Sequence, residues 1–226
     1  PAMGKTSFIL SFALHVAQQG LPVAVFSLEM SAEQLVRRML SMLSGVGMGI
    51  LKDPGLTENQ YQRLADACET LYSLPIYIDD HSELSPFELR GKCRRLKAEN
   101  ENKLGLVMVD YLQLMKGNKR TENRVQEISE IARGLKGLSK DLDVPVLALS
   151  QLNRSVESRE DKRPMLADIR ESGSIEAEAD LVMFIYRGEY YRRKEEGEDN
   201  EPFDPDKVEE AEIIIAKHRN GPTGKV

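Results

Sequence analysis

The sequence predicts an α/β domain, a mostly parallel sheet flanked by helices that carries a phosphate-binding loop. Three observations lead there. The chain opens on Pro1-Ala2-Met3-Gly4-Lys5-Thr6-Ser7, the back half of a G-x-x-x-x-G-K-[ST] pattern, and runs straight into the apolar stretch Phe8-Ile9-Leu10. Apolar runs over 22–28, 104–112 and 144–150, rich in β-branched residues, read as strands buried on both faces. Between them lie segments of helical period with clear start signals, the alternation that builds parallel sheets.

Each loop residue has a chemical reason. Gly4 lets backbone N–H groups curl around a phosphate, Lys5 reaches the terminal phosphates, and the Thr6 hydroxyl holds Mg²⁺. Met3 and Ser7 complete the nucleotide-binding set, and the helix that starts here adds unpaired donors and partial positive charge. The first glycine of the pattern, and the strand that feeds it, would lie ahead of Pro1. The helix itself runs from Phe8 to Gln19 with Gly20 as its C-cap.

Glu29 stands at the carboxyl end of the first strand, and Ser31 with Gln34 opens the next helix through a capping box. A glutamate at that place reads as the general base that activates water. The plainer alternative is a solvated residue that helps start the helix. The glycine-rich stretch 44–57 is a connection, after which Thr57 and Gln60 cap a helix to about Ser73. A short strand, 75–78, ends at Asp79-Asp80. Ser85-Pro86-Phe87-Glu88 then combines an N-cap, a first-turn proline and a capping-box glutamate. The helix it opens carries Arg90, Lys92, Arg94, Arg95 and Lys97, a basic face read first as solvated and only second as a nucleic-acid contact.

The strand 104–112 places Asp110 near its end, where an aspartate supports Mg²⁺ through its water shell, across from Thr6. Lys116–Arg124 is polar and net basic, and a long helix follows through Val125, Ile128, Ile131, Leu135 and Leu138. The strand 144–150 ends at Gln151, whose neutral amide can bond a γ-phosphate or the attacking water, or else merely cap the strand. Residues 152–164 are charged and irregular, and 181–186 is a strand. The highly charged stretch 190–207, with two prolines, reads as a mobile excursion. The last strand begins at Glu212 and ends in the basic residues Lys217 and Arg219. A tight turn at Asn220-Gly221 then sends Lys225-Val226 back, an antiparallel C-terminal edge.

At 226 residues the chain suits one domain, and its net charge of −6 excludes a protein that coats nucleic acid by bulk electrostatics. Cys68, Cys93, His15, His81 and His218 show no zinc-like spacing or disulfide framework, which suits a reducing compartment. No apolar run approaches membrane-spanning length, so a soluble, cytoplasmic protein with no membrane partner is expected.

These residues resemble the bacterial replicative DNA helicases of the DnaB type, specifically their C-terminal RecA-like motor domain. The likeness covers essentially the whole chain, 1–226, as a single domain. It is carried by Pro-Ala-Met-Gly-Lys-Thr (1–6), Phe-Ser-Leu-Glu-Met-Ser (26–31) and Val-Asp-Tyr-Leu-Gln-Leu (109–114). More specific are the stretches 149–157, 163–176 (Arg-Pro-Met-Leu-Ala-Asp-Ile-Arg-Glu-Ser-Gly-Ser-Ile-Glu) and 213–224 (Ile-Ile-Ile-Ala-Lys-His-Arg-Asn-Gly-Pro-Thr-Gly).

The resemblance implies an ATP- and Mg²⁺-dependent motor with 5′–3′ movement on single-stranded DNA, acting as a homohexameric ring with a primase and a helicase loader as partners. Lys5 and Thr6 would hold phosphate and metal, Asp110 would support the metal, Glu29 would activate water and Gln151 would sense the γ-phosphate. Lys217 and Arg219 would reach into the neighbouring subunit's site. Lys119, Arg120 and Arg124, with Arg170, Glu171 and Gly173, would line the central channel and hold the strand. The family's N-terminal helical collar and linker helix would lie ahead of Pro1. Two other functions remain open at the level of sequence: a RecA-fold ATPase of recombination or regulation, and an ATP-dependent scaffold that never translocates.

Overall fold

The computed structural model describes residues 3–52, 55–117, 123–169, 173–196 and 210–226. They gather into two compact units, Thr6–Ser150 and a second made of Gln151–Val226 with the N-terminal residues up to Lys5. Each is described in its own terms.

The larger unit carries α1 (Lys5–Gln18, all but its first residue), β1 (Val23–Ser27), α2 (Ala32–Ser44), α3 (Glu58–Ser73) and β2 (Ile76–Asp79). It continues with α4 (Pro86–Glu99), β3 (Leu106–Asp110), α5 (Arg124–Leu142) and β4 (Val146–Ala148). The strands form one parallel sheet in the order β2-β1-β3-β4, as the alternating apolar runs require. β1 and β3 lie at its centre and are buried along their whole length. Their register sets Ser27 opposite Asp110, so the two central strands end level with one another.

Ile9, Leu10, Ala13, Leu14 and Ala17 make the buried stripe of α1, packed in one core with Val23, Val25 and Met108 of the central strands. Full burial of one such large aliphatic side chain is worth about 1.5–3 kcal/mol, so this stripe fixes where α1 starts relative to the strand ends. The helix starts form as expected. The capping boxes at Ser31/Gln34, Thr57/Gln60 and Ser85/Glu88 all close in both directions, and Pro86 occupies the first turn of α4. The bonds from Ser85 hold the Glu88 carboxyl below its usual range.

The basic face of α4 is largely spent inside the unit. Arg90 pairs with Asp141, Lys92 with Asp79, Arg95 with Glu99, and Lys97 donates to the Leu142 carbonyl. These partners favour the solvated, structural reading of that face over a nucleic-acid contact. Cys93 of α4 is fully buried, which pushes its thiol up to about 12 and leaves it inert. Among the described residues, no helix is long and apolar enough to cross a membrane.

The smaller unit contains α6 (Gly173–Glu178), β5 (Leu181–Tyr186), α7 (Gly188–Glu196), β6 (Glu212–His218) and β7 (Gly224–Lys225). Its strands are antiparallel in the order β5-β6-β7. The expected returning strand is present, with Ile214 opposite Lys225 and Ile215 opposite Gly224. Among the described residues these antiparallel strands make a sheet of their own, over a core of Ile169, Val182 and Phe184. One expectation needs correction. Of the stretch 190–207, residues up to Glu196 belong to α7, where aromatic side chains anchor them, and 197–207 lie outside the described residues. Tyr191 stacks on Tyr186 with ring centroids 5.8 Å apart, and Tyr190 meets Tyr191 edge-on at 5.4 Å. Charge alone does not reveal those anchors.

Candidate functional site

The expected nucleotide-binding residues converge where α1 begins and the central strands end. Gly4 has φ +82°, the left-handed region that glycine enters without strain, and it turns the chain into α1. At the start of the helix the Thr6 hydroxyl donates to Oδ2 of Asp110 at 2.9 Å. Asp110 is only 3% exposed, at the last position of β3, and the Asp110–Tyr111 peptide is cis. A buried carboxylate that accepts from the hydroxyl in the first turn of α1 supplies, with that hydroxyl, oxygen donors only, the set preferred by a hard cation such as Mg²⁺. The residues present therefore fit Mg²⁺–nucleotide.

Glu29 lies two residues beyond β1, exposed, and makes no hydrogen bond or ion pair to another described residue. Its place is set by the backbone around it. The Leu28 N–H donates to the Asp110 carbonyl at 2.7 Å, and the Met30 N–H to Oγ of buried Ser27 at 3.2 Å. The Ala32 N–H donates to Asp80 Oδ2 at 2.9 Å. A free carboxylate on a turn held from three sides is well placed to take a proton from water.

The smaller unit positions Lys217 and Arg219 on and just beyond β6. Lys217 Nζ donates to the Glu176 carbonyl at 2.5 Å. Arg219 donates to the Ala177 carbonyl at 3.2 Å and pairs with Asp180 at 2.9 Å. Both cations thus sit on the last carbonyls of α6, the helix end that favours positive charge. Gly173 starts α6, and Gln151 is half-buried just after Ser150. Arg124 is the first residue of α5 and bonds inward, to Glu127 and to the Gln113 carbonyl. Lys119, Arg120, Arg170 and Glu171 lie outside the described residues.

The DnaB-like helicase C terminal domain family matches residues 1–226. The chain belongs to that family. It is 50% identical over 228 residues to the replicative DNA helicase DnaB of Geobacillus stearothermophilus and 47% over 244 residues to that of Rickettsia prowazekii. All of the chain takes part in both matches, yet it spans about half the length of these relatives, 48% and 50%. Among solved structures, a DnaB-like replicative helicase described with its primase interactions superposes at a TM-score of 0.90 and 38% identity, over 100% of this chain and 52% of that one. A second solved structure, of an ATPase domain, superposes at 0.89 and 38%, over 100% and 77%.

Three further residues of this DnaB-type domain support the site and carry no signal in the sequence. Ser27 and Asp80 hold the Glu29 turn, as described above. Arg38, half-buried on α2, donates from Nη1 to the Ser7 hydroxyl at 3.3 Å and so ties the first turn of α1 to the helix that follows Glu29. Arg38 has the helical spacing of a surface residue. Only a cation directed at the loop could have marked it, and spacing does not show direction.

Proposed function

We propose that this domain is the ATP-driven motor of a replicative DNA helicase, coupling hydrolysis to movement on single-stranded DNA and to duplex unwinding. The observation that carries the reading is the Thr6–Asp110 contact of 2.9 Å at the start of α1, with the carboxylate of Glu29 free on the neighbouring strand end. Family membership over the whole chain supports it. Lys5 and the backbone around Gly4 bind the phosphates, with Met3 and Ser7 beside them. Thr6 and Asp110 hold Mg²⁺, partly through water, and Glu29 takes the proton of the attacking water. Bound Mg²⁺ would neutralise phosphate charge as the terminal bond breaks. Gln151 senses the γ-phosphate.

The remaining assignments belong to the assembled protein. Lys217 and Arg219 act on the site of the next subunit in a homohexameric ring, leaving their seats on α6 to do so. Arg170, Glu171 and Gly173, with Lys119 and Arg120, face the strand in the channel, and Arg124 joins them on giving up its inward bonds to Glu127 and the Gln113 carbonyl. The primase interactions of the DnaB-like structural relative support primase as a partner, and a helicase loader is expected with it. The place of action is the replication fork in the bacterial cytoplasm, and 1–226 works as one RecA-like motor domain.

The test is strand displacement on a forked duplex by the full-length protein. ATP-dependent displacement that disappears in Lys5→Ala is expected. DNA-stimulated hydrolysis without displacement would instead favour a recombination or regulatory ATPase.

A further inference from the structure

The pairing of β5 with β6 continues one step past His218, where the Arg219 N–H donates to the Asp180 carbonyl at 2.8 Å. The same Asp180 pairs through Oδ1 with Nη1 of Arg219 at 2.9 Å, while Nη2 donates to the Ala177 carbonyl at 3.2 Å. Lys217, two residues earlier and so on the same side of the strand, reaches the Glu176 carbonyl at 2.5 Å. Beyond Arg219 the turn is closed by His218. Its Nδ1 donates to the Pro222 carbonyl at 3.3 Å, and its ring stands 2.3 Å from where a Cβ on Gly221 would sit. The backbone of Arg219 is thus held from both sides, and its side chain is the part left to move. An exposed ion pair at a strand end is ordinary surface chemistry. That does not account for one residue gripping Arg219 twice, by carbonyl and carboxylate, at a helix end that also receives Lys217.

We propose that Asp180 is a latch for Arg219, a positioning residue that holds the guanidinium on the end of α6 between turnovers. The latch rests on the reading above that Arg219 acts on the neighbouring subunit's site. A guanidinium can stabilise charge building on a phosphoryl group only after it leaves a competing carboxylate. Delivery to the next subunit therefore has to break the Asp180 pair, while the backbone bond to the Asp180 carbonyl keeps the root of the side chain in place. The two side chains are 48% and 52% exposed, so water and salt weaken the pair and the latch can open. Exposed pairs of this kind shift an equilibrium by at most about fivefold, which is about 1 kcal/mol at 1.36 kcal/mol per decade. Asp180 touches neither nucleotide nor metal in this scheme. It sets how readily Arg219 is released.

The test uses the full-length protein without DNA and measures kcat and KM for ATP beside Tm. Asp180→Asn keeps the shape and the backbone carbonyl and removes the charge. Its kcat is expected to rise about two- to fivefold, with KM within about twofold of wild type. A gain in rate is a readout that mere loss of structure does not produce. Asp180→Glu restores the charge and should fall back toward wild type. Asp180→Ser repeats the measurement in case Asp180→Asn folds poorly, and no gain in either variant overturns the latch. In the background of Arg219→Ala the gain should vanish, because there is no guanidinium to release. A gain that persists there overturns the latch as well. Arg219→Ala by itself separates the two failures. If it hydrolyses ATP like wild type, the trans-acting reading is wrong and the latch falls with it. If it is inactive while neither Asp180 variant gains, the latch alone is wrong.

Discussion

Replacing Glu29 by glutamine removes one proton acceptor and almost nothing else. The side chain is exposed and bonded to no described residue, while its turn is held by Ser27, by Asp80 and by the Ser31/Gln34 capping box. An exposed substitution of this kind changes stability by no more than about 0.5 kcal/mol. Loss of a general base costs about two to four orders of magnitude in turnover, or about 2.7–5.4 kcal/mol of barrier at 1.36 kcal/mol per decade. The catalytic effect should thus exceed the structural one by at least about fivefold in free energy. Steady-state ATP hydrolysis by the full-length protein, with binding of a fluorescent ATP analogue and a thermal melt, separates the two. Turnover should collapse while analogue affinity and Tm stay unchanged. Turnover within a few-fold of wild type would reduce Glu29 to a helix-start residue and send the search to another carboxylate. A melt lowered by many degrees would show that the turn depends on it after all.

In the full-length protein, if the proposed ring forms, Arg219→Ala should leave nucleotide binding intact and lower hydrolysis by roughly three orders of magnitude, the scale of a trans-acting arginine. Mixing it with Lys5→Ala subunits should restore some hydrolysis, and full activity of the Arg219→Ala ring alone would end that assignment. Gly134→Ala should destabilise, because its new Cβ would come within 2.7 Å of Pro86 Cβ, part of a rigid ring at the start of α4. Overpacking costs about 1–3 kcal/mol against about 1 kcal/mol gained in helix propensity. The net loss should lower Tm by a few degrees, and a raised Tm would contradict the close packing. Stability should also fall in acid. Glu127, Glu88 and Glu212 are held below the usual carboxylate range by their donors, as is Asp79, where bonds from Lys92 and His81 outweigh the opposing effect of burial. Depressed carboxyls stabilise the fold above their unfolded value of about 4 and lose that contribution as pH falls through the folded one. Melts from pH 7 to 3 should show the decline, and Glu88→Gln, which keeps the capping bonds without the charge, should make it shallower.

Much of this domain is decided within short stretches of chain. Strands buried on both faces must be continuously apolar, so β1 and β3 are visible as runs, and the acids that end them are visible as breaks. Capping boxes are local by construction, which is why all three are legible in the order of residues alone. The proposed phosphate-binding turn announces itself through Gly4, Lys5 and Thr6 for the same reason. What lies beyond local reach depends on register and packing. The pairing of Ser27 with Asp110 sets Glu29 beside the end of β3, and two separate strands cannot specify it until they align in one sheet. Likewise the basic residues of α4 resemble a nucleic-acid face in sequence, and only the approach of Asp141, Asp79 and the Leu142 carbonyl shows them to be partnered. The sequence determined the chemistry of each strand end. The tertiary structure decided which of those ends meet, because contacts between residues far apart in the chain exist only once the core that holds α1 against β1 and β3 has formed.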